Sequence, residues 1–325
     1  AHFLLGTLLY SKQRPAEAIE ELTEAVKYTP GNAVAWRNLG YALAESGRPG
    51  EALASYERAV EADSRSAQAM LELDMLRQDL GVGLRERADS LEAHHETVNS
   101  SDPLSSRLIS LSVQLGRYQD ALFLLGGHLF HSWEGKFGVH LYWVESHIRL
   151  GDAALAEGDG EKALEHYRLA LTYPDNLEVK EQPGTIHARK RYKIALALEA
   201  LGRRDEARRM YEQVLEDQPR PGDAFLYFHG LALVKLGKNT QARKLFADLL
   251  AYLESRQGKS GREEEPHGEM DSAREQKQAA LLHFKRSLAL EGLGRKEEAA
   301  GERELALSLD PEVTLSAFCP PAAGW

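Results

Sequence analysis

The stretch AVAWRNLGYALAESGRPGEALASYERAVEADS, residues 33–64, sets two apolar stripes of helical spacing on either side of one glycine. Trp36, Leu39 and Gly40 open the first stripe. Gly47 closes it, because a glycine just past an apolar periodic run takes the left-handed conformation that ends a helix. Ala52, Tyr56 and Ala59 follow at offsets of four and three, one face of a second helix that buries its stripe against the first. Ser64 ends the segment with a polar residue. The unit is a helical hairpin.

The same hairpin recurs outward in both directions. Turn glycines stand at Gly47, Gly81, Gly116, Gly158, Gly202, Gly237 and Gly294, often within Leu-Gly-Arg or Leu-Gly-Lys. Five residues after the turn a small residue returns at Ala52, Ala121, Ala163, Ala207, Ala242 and Ala299, with Ala18 in the same place of the first unit. Four further on stands a large one, Leu22, Tyr56, Leu125, Tyr167, Tyr211 or Phe246. Pro30, Ser64, Asp175, Pro219 and Pro311 end units, since proline cannot continue a helix. The third unit departs from the pattern: Glu86 holds the small-residue place and Ala88 comes two positions late, so its second helix, 84–98, is expected to be shifted.

These columns, together with Leu4, Leu5 and Gly6 in the first unit, resemble the tetratricopeptide repeat family. The resemblance implies an all-α fold, an α-solenoid (right-handed superhelix) of about eight hairpins. The units run about 1–32, 33–66, 67–101, 102–136, 137–180, 184–220, 223–256 and 274–311, with a charged, flexible insertion at 255–273 and a C-terminal tail at 312–325. A wider resemblance rests on Glu72-Leu73-Asp74, on His131-Ser132-Trp133-Glu134-Gly135 and on Tyr173-Pro174-Asp175-Asn176-Leu177. It is to the repeat half of large microbial proteins with an N-terminal domain of unknown function, although Ser132 and Lys136 depart from that pattern. It implies that any catalysis belongs to a domain upstream, and the start at Ala1 inside an apolar helical pattern reads as a piece of a longer protein.

Function follows from the first helices, which in this family line the concave side where partners bind. The groove positions of the family, carried onto this chain, are Arg37, Asn38 and Tyr41 in unit two, Glu145, Arg149 and Asp152 in unit five, Arg189, Tyr192 and Lys193 in unit six, and Tyr227 and Phe228 in unit seven. Aromatic and charged side chains together anchor a peptide through buried apolar contact and charge-assisted bonds, or else complete packing between repeats. The clamp that holds chaperone C-termini is not reproduced, because the matching places carry Phe3, Thr7, Asn38, Gln68 and Glu72.

Departures from the repeat length add three segments. The first, about 126–144, holds Phe130, Trp133, Phe137, Tyr142 and Trp143 with His128, His131 and His140. It reads as a ligand pocket or partner hot spot centred on Trp133 and Tyr142, as a His128–His131–Glu134 metal site, or as a buried plug whose imidazoles find local partners; the plug is favoured over the metal. The second, 173–185, leads into the basic run Arg189-Lys190-Arg191 and Lys193. That run binds phosphate or an acidic peptide, or is a solvated face balancing Glu178, Glu181 and Glu199, and the acidic whole favours the face. On the first alternative, Arg189 and Lys193 are replaceable by Glu at the cost of an acidic partner but not of the fold. The third, 255–273, is too poor in apolar residues to offset its ordering.

Composition narrows the function classes. Forty basic against fifty acidic residues leave a net charge of −10, a field that repels nucleic acid and anionic membrane. No apolar run is long enough for a transmembrane helix, and Cys319, the single cysteine, cannot form an intramolecular disulfide. No Ser-His-Asp, Cys-His or paired-carboxylate set is placed by any motif, so the expectation is a non-catalytic, cytoplasmic scaffold without cofactor or metal. Its partner is a protein or peptide, or the N-terminal domain of its own chain. The alternative is the accessory repeat half of a larger, carbohydrate- or small-molecule-related enzyme.

Overall fold

The computed structural model describes residues 1–131, 138–182, 184–257 and 269–318, among which the long elements are all α-helices. Two compact units divide the chain, one of residues 1–142 with 175–178 and one of residues 143–174 with 179–325. Each is an α-solenoid of tetratricopeptide-like hairpins.

In the first unit α1 (His2–Ser11) pairs with α2 (Pro15–Tyr28), α3 (Ala33–Glu45) with α4 (Pro49–Ala62), α5 (Ala67–Asp79) with α6 (Leu84–Glu92), and, after a short α7 (His95–Asn99), α8 (Asp102–Gln114) with α9 (Tyr118–Gly127). α10 (Val139–Ala156) begins there and continues in the second unit, where it pairs with α11 (Gly160–Leu169). The remaining pairs are α12 (Ala188–Ala200) with α13 (Arg204–Val214), α14 (Leu226–Lys235) with α15 (Asn239–Gln257), and α16 (Glu269–Gly292) with α17 (Lys296–Leu309); α18 (Val313–Ala317) closes the chain.

The hairpin geometry is set by two kinds of glycine. All seven turn glycines have positive φ, between 71° and 85°, the region that a side chain disfavours. The arginine after the turn then caps the second helix and pairs with a carboxylate three residues on, as in Arg48–Glu51, Arg117–Asp120, Arg203–Glu206 and Arg295–Glu298. Inside the first helices, other glycines admit the large residue sixteen places later. A Cβ on Gly151 would stand 2.5 Å from the Tyr167 ring, one on Gly230 2.2 Å from Phe246 and one on Gly40 3.1 Å from Tyr56. Ala18, Ala52, Ala121, Ala163 and Ala207 are buried opposite, so the two helices close on small side chains.

Three segments differ from the sequence expectation. The helix expected over 84–98 is broken at His94 into α6 and α7. Ala88, not residue 86, fills the small-residue place, and Arg87 beside it is buried in a bidentate bond to Asp74, 2.9 Å at each end. Of the charged 255–273 segment, the two margins are helical, α15 running to Gln257 and α16 starting at Glu269, since Glu, Lys and Arg are good helix formers; 258–268 lie outside the described residues. Of the C-terminal tail, 312–325, residues 313–317 form α18 and the Phe318 ring packs into the second unit, while 319–325 lie outside the described residues.

Candidate functional site

In the first unit, α1, α3 and α5 repeat the same side every 34 residues. Thr7, Tyr41 and Met75 are one such column, Phe3, Arg37 and Leu71 another. Contacts link successive rungs. Arg37 donates to Glu72 through Nε at 2.9 Å and through its terminal nitrogen at 2.5 Å, and Gln68 donates to the same carboxylate at 2.7 Å. Asn38 Nδ2 donates to Thr7 Oγ1 at 3.3 Å, and the Tyr10 ring meets Tyr41 edge-on at 5.3 Å. The charged members of this side are thus held by neighbouring repeats, while three apolar ones face outward: Val34, Tyr41 and Met75 are 53%, 41% and 48% exposed. Of the residues named from sequence here, Tyr41 is the one left with a large free surface. Val34 and Met75 were missed, although Met75 lies 34 places after Tyr41 and Val34 opens the same helix.

The corresponding side of the second unit is closed. Glu145 is 3% exposed and accepts from Arg149 Nε at 2.7 Å and from Arg189 at 2.6 Å. Burial works against its charge, but the two guanidiniums, Arg189 foremost, outweigh it and hold the carboxyl below its ordinary range. Lys193 Nζ donates to Asp152 Oδ1 at 2.7 Å, and Tyr167 donates to the same oxygen at 2.6 Å. Tyr192 and Phe228 are buried, their rings 5.8 Å apart, and Tyr227 donates to Glu291 at 2.9 Å.

The basic run is therefore neither a solvated face nor a free patch. Arg189, Arg191 and Lys193 pair with Glu145, Asp217 and Asp152, while Glu181, one of the acids expected to balance the run, bonds His187 and acts on Lys190 and Arg191 through its charge. Lys190 is buried beside the Tyr173 ring, 5.9 Å from its centroid, and desolvation pushes its ammonium down to about 8. Exchanging Arg189 for Glu does threaten the fold, because it would replace one of the two guanidiniums on a buried carboxylate by a like charge.

The described start of the aromatic and histidine segment, up to His131, meets Asp102. His128 Nε2 lies 2.6 Å from one carboxylate oxygen, and the other accepts from the His131 backbone N–H at 2.6 Å, with His131 Nδ1 at 3.2 Å. Burial opposes the charge of Asp102, but the bonds from His128 and His131 prevail and lower its carboxyl. Asn176 Nδ2 donates to the carbonyls of Leu125 and His128, at 2.7 and 2.8 Å, fastening the segment from a distant loop. Ser105 Oγ stands 3.4 Å from His128 Nδ1, completing a Ser-His-Asp order. Its hydroxyl donates to the Val98 carbonyl at 2.8 Å and is buried, so no nucleophile is presented. Among the described residues no group of three His, Cys, Asp or Glu side chains is placed so that it could hold a metal ion. Tyr142 is half-buried on α10, and Trp133 and Glu134 lie outside the described residues.

Tetratricopeptide repeat family models match residues 3–67 and 192–258, and a second such model residues 144–168. No curated protein matches the chain. Among solved structures, YrrB, a TPR protein with an unusual peptide-binding site, is 21% identical with a TM-score of 0.41, the match covering 66% of this chain and 97% of that one. The TPR2AB domain of yeast Sti1 in complex with an HSP90 peptide is 15% identical, TM-score 0.34, over 89% and 96% of the two chains. The Naa15/Naa10 complex bound to HypK matches at 15% identity and TM-score 0.46, over 96% and 51%. With turn glycines, small-residue columns and helix pairs all in register, the chain belongs to the tetratricopeptide repeat family.

Proposed function

We propose that the chain is a non-catalytic protein-interaction scaffold and that the first-helix side of the first unit takes a partner segment. The observation that carries the reading is the set Val34, Tyr41 and Met75, large apolar side chains left exposed where Arg37 and Asn38 are bonded to adjacent repeats. An aromatic ring and a thioether form an adaptable apolar surface, so the segment supplies aliphatic or aromatic anchors rather than a carboxylate terminus. Glu72 reinforces this: its charge is already matched by Arg37 and would repel a carboxylate.

The test is selection from a random peptide library on the parent chain, followed by binding to a Tyr41→Ala, Met75→Ala variant. Both positions lie outside the buried core, so the variant should keep its fold, which circular dichroism checks. Selected peptides should be rich in apolar anchors and lose about tenfold or more in affinity for the variant. Equal affinity for both chains rejects this face as the site.

A second reading has its own observation. Leu4, Leu5 and Leu8 of α1 are 72%, 43% and 53% exposed, an apolar side of the kind that packs against another domain. On that reading the array is an accessory to a larger protein. Expressing the chain with its natural upstream sequence should bury these leucines, seen as loss of hydrogen exchange in α1.

A further inference from the structure

The groove-side columns of the second unit already hold an occupant. Arg189, Ala224 and Leu281 share one place in successive repeats, Tyr192, Tyr227 and Phe284 the next, and Lys193, Phe228 and Lys285 a third. The chain turns back after α17 through Asp310, whose side chain accepts from the Glu312 N–H at 2.9 Å. It then lays α18 and Phe318 across these columns. Val313 and Ala317 are buried against the cluster of Ala224, Phe284 and Leu288. The Phe318 ring is 5.6 Å from Phe225, 5.5 Å from Phe228 and 6.1 Å from Phe284, with the Arg189 guanidinium 4.7 Å above its centroid.

Two features make this segment a ligand rather than a wall. A five-residue helix does not stand alone in water, and Val313, Ala317 and Phe318 meet the second unit through apolar and ring contact rather than through the ion pairs that join its repeats. The subsite also has a definite chemistry. The Arg189 guanidinium is bonded to Glu145 and also stands over the Phe318 ring, so the site favours an aromatic side chain.

We infer that residues 312–318 are an internal ligand of the second unit, and that a partner protein binds there in exchange for them, through a short apolar helical turn ending in an aromatic residue. The inference rests on the scaffold reading but concerns a different face. A tethered occupant competes at an effective concentration near millimolar, so the site stays closed to weak ligands.

The probe is a fluorescein-labelled peptide of residues 312–318, EVTLSAF, titrated by anisotropy into the full chain and into its Phe318→Ala variant. The variant should bind the peptide at least about tenfold more tightly than the parent, and a peptide ending in Ala should bind neither. Equal binding to the two chains, or none to the variant, overturns the inference. Hydrogen exchange on the unaltered chain guards against a misfolded variant: α18 amides should exchange about tenfold or more faster than those of α14 and α16, and equal protection makes α18 a fixed cap instead. Neither readout involves Tyr41 or Met75, so failure here leaves the first-unit face untouched, and failure there leaves this one.

Discussion

At the scale of single residues, the repeat exposes its own exception. Gln13 sits 34 places before Gly47, and its φ of 58° lies in the same left-handed region. The turn bonds match as well: Arg14 N–H donates to the Leu9 carbonyl at 3.0 Å, as Arg48 does to Leu43 at 2.9 Å. A side chain there costs roughly 1–2 kcal/mol, of which the greater unfolded-state freedom of glycine returns a part. Gln13→Gly should therefore stabilise the chain by about 0.5–1 kcal/mol in urea unfolding; an unchanged or lower midpoint would show the turn to be unstrained. A second residue carries a pH dependence. His147 is buried against the Trp143 ring, its Nδ1 3.0 Å from that of His166, and desolvation followed by the neighbouring imidazole lowers it to about 4. Its folded state thus refuses a proton that the unfolded state accepts from about pH 6.5 downward. Stability is complete above that value and falls as pH drops toward 4, by about 2 kcal/mol between pH 7 and 5. Unfolding of the parent and of His147→Leu at both pH values checks this, since the leucine variant should lose markedly less.

Helix pairs show what kind of interaction each basic residue makes. Arg189 is bonded to a carboxylate with 4% of its side chain exposed, whereas the Lys193–Asp152 pair is 22% and 32% exposed. Arg189→Glu should destabilise by about 3–5 kcal/mol, because Glu145 would face a like charge in the interior. Lys193→Ala should cost under about 1 kcal/mol, the range for a pair that water still screens. Thermal unfolding of the two variants side by side tests the contrast, and similar losses would mean that burial does not rank these pairs. The same residues explain what was legible beforehand. Turn glycines, alanine columns and large partners recur at fixed local offsets, so the hairpins could be read from sequence. Glu145 and Arg189 are 44 positions apart on different hairpins, and no local spacing announces that two charges will satisfy each other. Phe318 gave no signal either, being a single aromatic beside a proline-rich tail. Met75 did have one, its distance of 34 from Tyr41.

Within each unit, helices pack mainly on those one or two places away along the chain, α5 on α8 being a longer step, with α3 on α4, α12 on α13 and α16 on α17 among the most extensive pairs. Stability in such an array is a sum of repeat and nearest-neighbour contributions, so a local defect stays local. Ala207, 1% exposed between α12 and α13, offers the cleanest place to introduce one. Ala207→Trp overpacks that pair and should destabilise by about 1–3 kcal/mol or more. Its hydrogen-exchange map should show faster exchange through α12, α13 and α14, with α3 and α4 as protected as in the parent. If protection instead fell evenly from α1 to α17, the chain would unfold as one cooperative body. The separation of its two units, on which independent partner sites depend, would then be lost.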